Sequence, residues 1–191
     1  MSRKKYVKDY KLDRYVDEKG RIRTSAHYAG EAFRFGLDGE ELKKQRTLFT
    51  AVCAVMWIAF IVPLFPATAA MKLPYFSLPF IFSALPLWLV SEATYAMYTA
   101  KQPFSRRIAE KFSKRLAVYA VMLLVLTLGA AAGFAAGLIF ARDSFTAIDT
   151  VPAASALILL AGSVTLFARR ASVPVVSCGP ASAPEPREGA L

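Results

Sequence analysis

After Arg46 the chain carries four stretches without a charged residue: Thr47 to Met71, Leu73 to Ser91, Leu116 to Ala141 and Thr150 to Ala168. Each is close to or above the ~20 apolar residues that a helix needs to cross ~30 Å of hydrocarbon. In a bilayer every backbone N–H and C=O must be satisfied within the chain, so segments of this kind become helices. The pattern predicts an all-α integral membrane protein: a four-transmembrane-helix bundle with spans over 47–66, 73–98, 116–141 and 150–168. No catalytic or ligand motif of high specificity accompanies it.

The basic residues set an orientation. Thirteen Lys or Arg lie from Arg3 to Arg46, six lie between spans two and three, and three follow span four. Lys72 and Arg142 alone occupy the other two connections. Lys and Arg near span ends favour the cytoplasmic side, so both termini are expected in the cytoplasm, with the chain a multi-pass protein of the plasma membrane. The net charge of +10 follows from this bias and needs no nucleic-acid partner. A long polar segment precedes span one, unlike a cleaved signal; small size and an uncleaved anchor give a bacterial source as the expectation. Cys53 in span one and Cys178 in the tail do not make a disulfide framework.

Residues 1–37 read as a small cytoplasmic β-hairpin or meander. Tyr6, Tyr10, Leu12 and Val16 fall on one side of the first run, and Ile22, Thr24, Ala26 and Tyr28 on one side of the next, with side chains of period two. Asp17-Glu18-Lys19-Gly20 between them is turn chemistry, and Phe33 and Phe35 suit a third strand. So short an element buries little apolar surface by itself and needs the spans, the membrane or another chain to dock on. Residues 38–46 read as a juxtamembrane helix with Asp38 as N-cap and Glu40 and Glu41 in the first turn; Lys43, Lys44 and Arg46 then fall at headgroup level. Pro63 is expected to kink or end span one, and Pro79 and Pro86 to bend span two. Trp88, Tyr95, Tyr98 and Tyr119 suit an aromatic belt, while Trp57 lies deeper and suits helix packing. From 171 to 191, Pro174, Pro180, Pro184 and Pro186 predict a disordered cytoplasmic tail.

Three features are candidates for function. In 103–115, Phe104, Ile108, Phe112 and Leu116 recur every four residues, with Arg106, Arg107, Lys111 and Lys114 on other faces. This predicts a basic amphipathic helix lying on anionic lipid, or a plain connection between spans. Gly129, Gly133 and Gly137 repeat every four residues in span three, where bare backbone admits a close neighbour; Ala153, Ala156, Ala161 and Gly162 of span four are the expected partners, or else span three of a second copy. Glu92 is the one acid within or beside the apolar runs. It is interfacial if span two ends near Ser91, and a possible coupling acid if the span runs on through Tyr98. His27, the only histidine, has no Cys or His cluster around it, so no metal is expected, nor any cofactor. Asp143 and Asp149 flank Ser144 and Thr146 without a base or metal beside them, and no catalytic residue is assigned.

The sequence therefore favours a non-catalytic accessory or scaffold protein whose cytoplasmic face engages anionic lipid or a protein partner. The alternative is a small oligomeric transporter or channel with Glu92 near its pathway.

Overall fold

The computed structural model describes residues 10–16, 21–28, 30–140 and 145–180. Four of its helices are long and apolar enough to cross a membrane: Gly39–Leu64, Pro74–Thr99, Arg106–Phe140 and Ala147–Ser172. Their outward faces carry many large apolar side chains. Phe65 and Phe140 are 82% and 83% exposed and Trp88 64%, while Phe49, Met56, Phe76, Leu87, Leu123 and Leu159 are buried between the helices. Exposed apolar surface on this scale marks a face that contacts a membrane or another protein.

Helix α1 (Gly39–Ile61) passes through residues 46–47 without a break, so the juxtamembrane segment and span one are one helix. Asp38 stands at its N-cap with extended backbone, yet its side chain makes no capping hydrogen bond. The helix tightens into a 3₁₀ turn at Val62–Leu64, where Pro63 lacks the N–H that an α-helical turn would use. A short helix α2 (Ala69–Lys72) leads into α3 (Pro74–Phe82) and α4 (Ala84–Thr99). Pro74 opens α3 at its first position, where a missing N–H costs nothing. Span two is interrupted at Ser83, between its two internal prolines. Pro86 offers no N–H to the Phe82 carbonyl and crowds it; Ser83 N–H is shared between the carbonyls of Pro79 (3.1 Å) and Phe80 (3.2 Å), and Leu87 N–H keeps the Ser83 carbonyl at 3.0 Å, so the break is confined to one turn.

The 103–115 segment departs from expectation. Helix α5 (Arg106–Glu110), a π-helical turn (Lys111–Arg115) and α6 (Leu116–Phe140) follow one another directly, forming one 35-residue helix. At ~1.5 Å per residue it is ~52 Å long against ~30 Å of hydrocarbon, so its basic first turns are a stalk continuing span three rather than a separate helix lying on lipid. Its apolar stripe is taken by the protein's own core: Phe104, Phe112 and Leu116 are buried. The Phe35 ring lies 4.6 Å from that of Phe104 and 5.6 Å from that of Phe112, and Phe49 is 5.7 Å from Phe112. The last long helix, α7 (Thr150–Arg169), packs on α1 and α6, while α6 also meets α3 and α4.

Strands β1 (Tyr10–Val16) and β2 (Ile22–Tyr28) pair antiparallel, from Tyr10 opposite Tyr28 to Val16 opposite Ile22. The turn at Asp17 to Gly20 lies outside the described residues. The third strand does not complete a meander. Instead β3 (Glu31–Phe35) is the centre of a separate sheet, between β4 (Phe104–Ser105), from the connection of spans two and three, and β5 (Val175–Pro180), from the segment after span four. This pairing lets Phe35, 2% exposed, enter the aromatic core, which a free-standing meander of such length does not have. The expected disorder from 171 is corrected as far as Pro180: Val175 and Val176 pair with Phe35 and Arg34, and Gly36 N–H bonds the Pro174 carbonyl at 2.8 Å. Residues 181–191, with Pro184 and Pro186, lie outside the described residues. One sheet thus holds the chain before span one, between spans two and three, and after span four, so all three lie at the same end of the molecule, called the sheet end below.

Candidate functional site: the sheet end and the α1–α4 seam

The basic residues at the sheet end do not form one uniform patch. Arg106 Nε bonds Glu110 Oε1 at 3.2 Å within the first turn of the stalk. Lys111 reaches across to Glu92 on α4 in an ion pair. The π-helical turn brings Lys111 and Arg115 to one side, where they enclose a small recess with Leu89, Glu92, Ala93 and Tyr119. Arg170 donates to the Ser113 carbonyl at 3.4 Å and lies 4.6 Å over the Phe167 ring. Arg107 and Lys114 are exposed. Of the four cations singled out for lipid, two therefore already face carboxylates and two point outward. Span two runs on through Tyr98 to Thr99, the extension under which Glu92 is expected to be a coupling acid, and Lys111 is the partner such an acid requires; the Glu92 side chain is nevertheless half exposed, at the edge of α4 against the stalk.

Arg46, in the second turn of α1, reaches across to the end of α4. Its Nη2 donates to the carbonyl of Ala100, the C-cap of α4, at 2.7 Å. Its guanidinium carbon lies 6.0 Å over the Phe35 ring. A cation at a helix C-terminus meets unpaired carbonyls and the negative end of the dipole, so this contact ties α1, α4 and the sheet together. Arg46 Nε and Gln45 Oε1 are buried without a hydrogen-bond partner among the described residues. Beside Arg46 a cavity of about 730 Å³ opens, lined among others by Lys43, Thr47, Tyr98, Lys101 and Gln102.

Below it runs the seam between α1 and α4. Trp57 Nε1 donates to Ser91 Oγ at 2.9 Å, and Ser91 Oγ donates to the Leu87 carbonyl at 2.9 Å. Cys53 Sγ and Thr94 Oγ1 are 3.5 Å apart. Trp57 also meets Trp88 of α4 and Phe60 of its own helix edge-on, at 6.4 and 5.9 Å, so α4 is the neighbouring helix it packs on. Trp88, Tyr95 and Tyr98 are exposed.

The glycine stripe faces a different partner from those expected. A Cβ on Gly133 would fall 2.6 Å from the Tyr75 carbonyl carbon, one on Gly137 2.7 Å from Leu73 Cδ1, and one on Gly129 3.6 Å from Pro79 Cβ. Spans three and four do pack together, α6 on α7, but the glycine face of α6 receives chiefly α3, where span two is interrupted, with Phe145 of the span three–four connection also 2.9 Å from a Cβ on Gly137. Span four's Gly162 instead receives Met56 of α1.

At the end opposite the sheet, Asp149 is 1% exposed. Its Oδ1 accepts from Ala70 N–H at 2.8 Å, and its Oδ2 from Thr146 N–H at 2.8 Å and Thr146 Oγ1 at 3.0 Å. A buried carboxylate satisfied by several N–H groups is stable there and clamps the two connections at that end to each other. Asp143 and Ser144 lie outside the described residues, as does the side chain of His27. Among the described residues no three His, Cys, Asp or Glu converge as a metal site. No protein-family model, no curated protein and no solved structure matches this chain.

Proposed function

We propose that this chain is a non-catalytic accessory or scaffold protein of the plasma membrane, a bundle of four membrane-crossing helices with both termini and the stalk in the cytoplasm. Its sheet end is the working surface, engaging anionic headgroups or a protein partner. The observation that carries the reading is the β4-β3-β5 sheet, which gathers three distant pieces of chain at the end where the basic residues concentrate. Lys and Arg there suit the cytoplasmic side and its anionic lipid. Arg107 and Lys114, exposed on the stalk, are the residues assigned to that contact. Span two extends past Glu92 to Thr99, as the transporter reading requires, but the half exposure of the Glu92 side chain supports an interfacial role for this acid.

The test combines two measurements on protein in mild detergent and in vesicles. Neutralising Arg107 and Lys114 to Gln should weaken recovery with anionic vesicles, or with a co-purifying partner, while Glu92→Gln should leave both intact. If the double substitution changes neither and no partner is recovered, the accessory reading fails; loss of a coupled ion flux in Glu92→Gln would establish the transporter instead.

A further inference from the structure

The cavity beside Arg46 and the seam beneath it are not two separate features. Tyr98 lines both, and Thr47, on the wall of the first, lies one helical turn before Thr50, on the wall of the second. Among the described residues lining the upper cavity none is acidic, whereas Lys43, Arg46 and Lys101 bring three positive charges to it. Arg46 lines this cavity while its Nη2 holds the Ala100 carbonyl, so its guanidinium charge is fixed at the cavity wall for an incoming oxyanion. Charge-assisted bonds of guanidinium and ammonium groups to phosphate are among the stronger ones a protein makes.

The lower groove, of about 250 Å³, has apolar walls of Ala54, Trp57 and Tyr95 with few polar atoms. From Thr47 to Trp57 is ten residues of α1, or ~15 Å at 1.5 Å per residue. That is half of the ~30 Å hydrocarbon thickness, the depth of a single leaflet. Trp57, held by Ser91, forms its floor.

We infer that the α1–α4 seam is a binding site for one anionic phospholipid, its phosphate among Lys43, Arg46 and Lys101 and an acyl chain lying down the groove to Trp57. The inference rests on the membrane-crossing reading above, but the site is separate from the Arg107 and Lys114 face of the stalk. The polar mouth, the charge and the one-leaflet depth belong together only in a lipid: a free phosphate would use the mouth and leave the groove unexplained.

The two tryptophans of the chain make the test direct. With Trp88→Phe in the full-length protein, fluorescence reports Trp57 alone. The protein is placed in phosphatidylcholine vesicles containing a small fraction of acyl-brominated lipid, either phosphatidylglycerol or phosphatidylcholine. The site predicts stronger quenching by the brominated phosphatidylglycerol at equal fraction. Each ammonium near a phosphate contributes roughly fivefold in affinity. Lys43→Gln with Lys101→Gln should therefore lower the relative affinity for phosphatidylglycerol about 25-fold, removing the excess. Arg34→Gln with Arg169→Gln, an equal charge change on exposed residues of the same end, should leave the excess in place. Equal quenching by the two lipids overturns the site. So does an excess that the two lysine substitutions do not alter, or one that inorganic phosphate abolishes, which would make the ligand the free anion. Absence of quenching by either lipid overturns the membrane-crossing reading itself and the site with it.

Discussion

Gly133→Ala is the substitution whose effect the packing defines most sharply. The added Cβ would lie 2.6 Å from the Tyr75 carbonyl carbon and 2.9 Å from Phe76 N, against 3.4 Å or more in ordinary contact. Both obstacles are backbone at the start of α3, so no side chain can rotate away. The two helices must separate by roughly 1 Å, and a gap of ~0.5–1 Å forfeits a quarter to a half of each van der Waals contact along the seam. Those contacts include the Phe76–Phe134 ring pair at 6.0 Å. Overpacking of this kind costs ~1–3 kcal/mol, offset by the ~0.5–1 kcal/mol that Ala gains over Gly within a helix. The net expectation is a loss of about 1–2 kcal/mol. Gly129→Ala is the internal control. Its Cβ would meet Pro79 Cβ at 3.6 Å, an ordinary contact, so the substitution should be neutral or stabilising by up to ~1 kcal/mol. Reversible unfolding of detergent-solubilised protein, followed by circular dichroism against added denaturing detergent, measures both. The reasoning is refuted if Gly133→Ala is as stable as the parent protein, or if Gly129→Ala is the worse of the two.

Other substitutions test other parts of the same structure. Gly162→Ala should be milder than Gly133→Ala in the same assay, because the added methyl meets the flexible Met56 thioether, which can shift. Asp149→Ala leaves the Ala70 and Thr146 N–H groups without their acceptor and should cost ~2–5 kcal/mol, from ~1–3 kcal/mol for each unsatisfied group; Asp149→Asn, which keeps one acceptor oxygen, should lose less, by thermal melting. Phe35→Ala empties the centre of the aromatic core and should cost ~3–5 kcal/mol, with hydrogen exchange rising first at Val175 and Val176, whose strand pairs with β3.

Helices and their neighbours were unequally legible in the residues. Four charge-free runs predict four long helices because the requirement to satisfy the backbone in hydrocarbon acts on each segment alone. Who packs on whom is another matter. The spacing of Gly129, Gly133 and Gly137 announces a face open to close approach, but the identity of the approaching helix depends on where Pro86 interrupts span two and how Tyr75 is presented. The sheet was hidden for a related reason. Its β4 strand is only Phe104 and Ser105, too short to carry a period, and Val175-Val176 stands between prolines that read as disorder. The stripe Phe104, Ile108, Phe112 and Leu116 is correctly periodic, yet periodicity does not distinguish a face turned to lipid from one turned to Phe35 and Phe49. Arg46 was legible as a cation at a helix end; its carbonyl partner, 54 residues away, was not. Asp149 read as an ordinary loop residue because nothing local reveals that Ala70 N–H points at it.

The central claim is that the chain crosses the bilayer an even number of times and brings its sheet end together on one side. Labelling by a membrane-impermeant maleimide in sealed vesicles of known orientation tests it most directly. Cys178, exposed in β5, is compared with a cysteine introduced by Arg34→Cys in β3 and one introduced by Lys72→Cys at the opposite end, the latter two in a Cys178→Ser background. The account predicts that Cys178 and position 34 react from the same face and position 72 only from the other. Reaction of Cys178 and position 72 from one common face would contradict it.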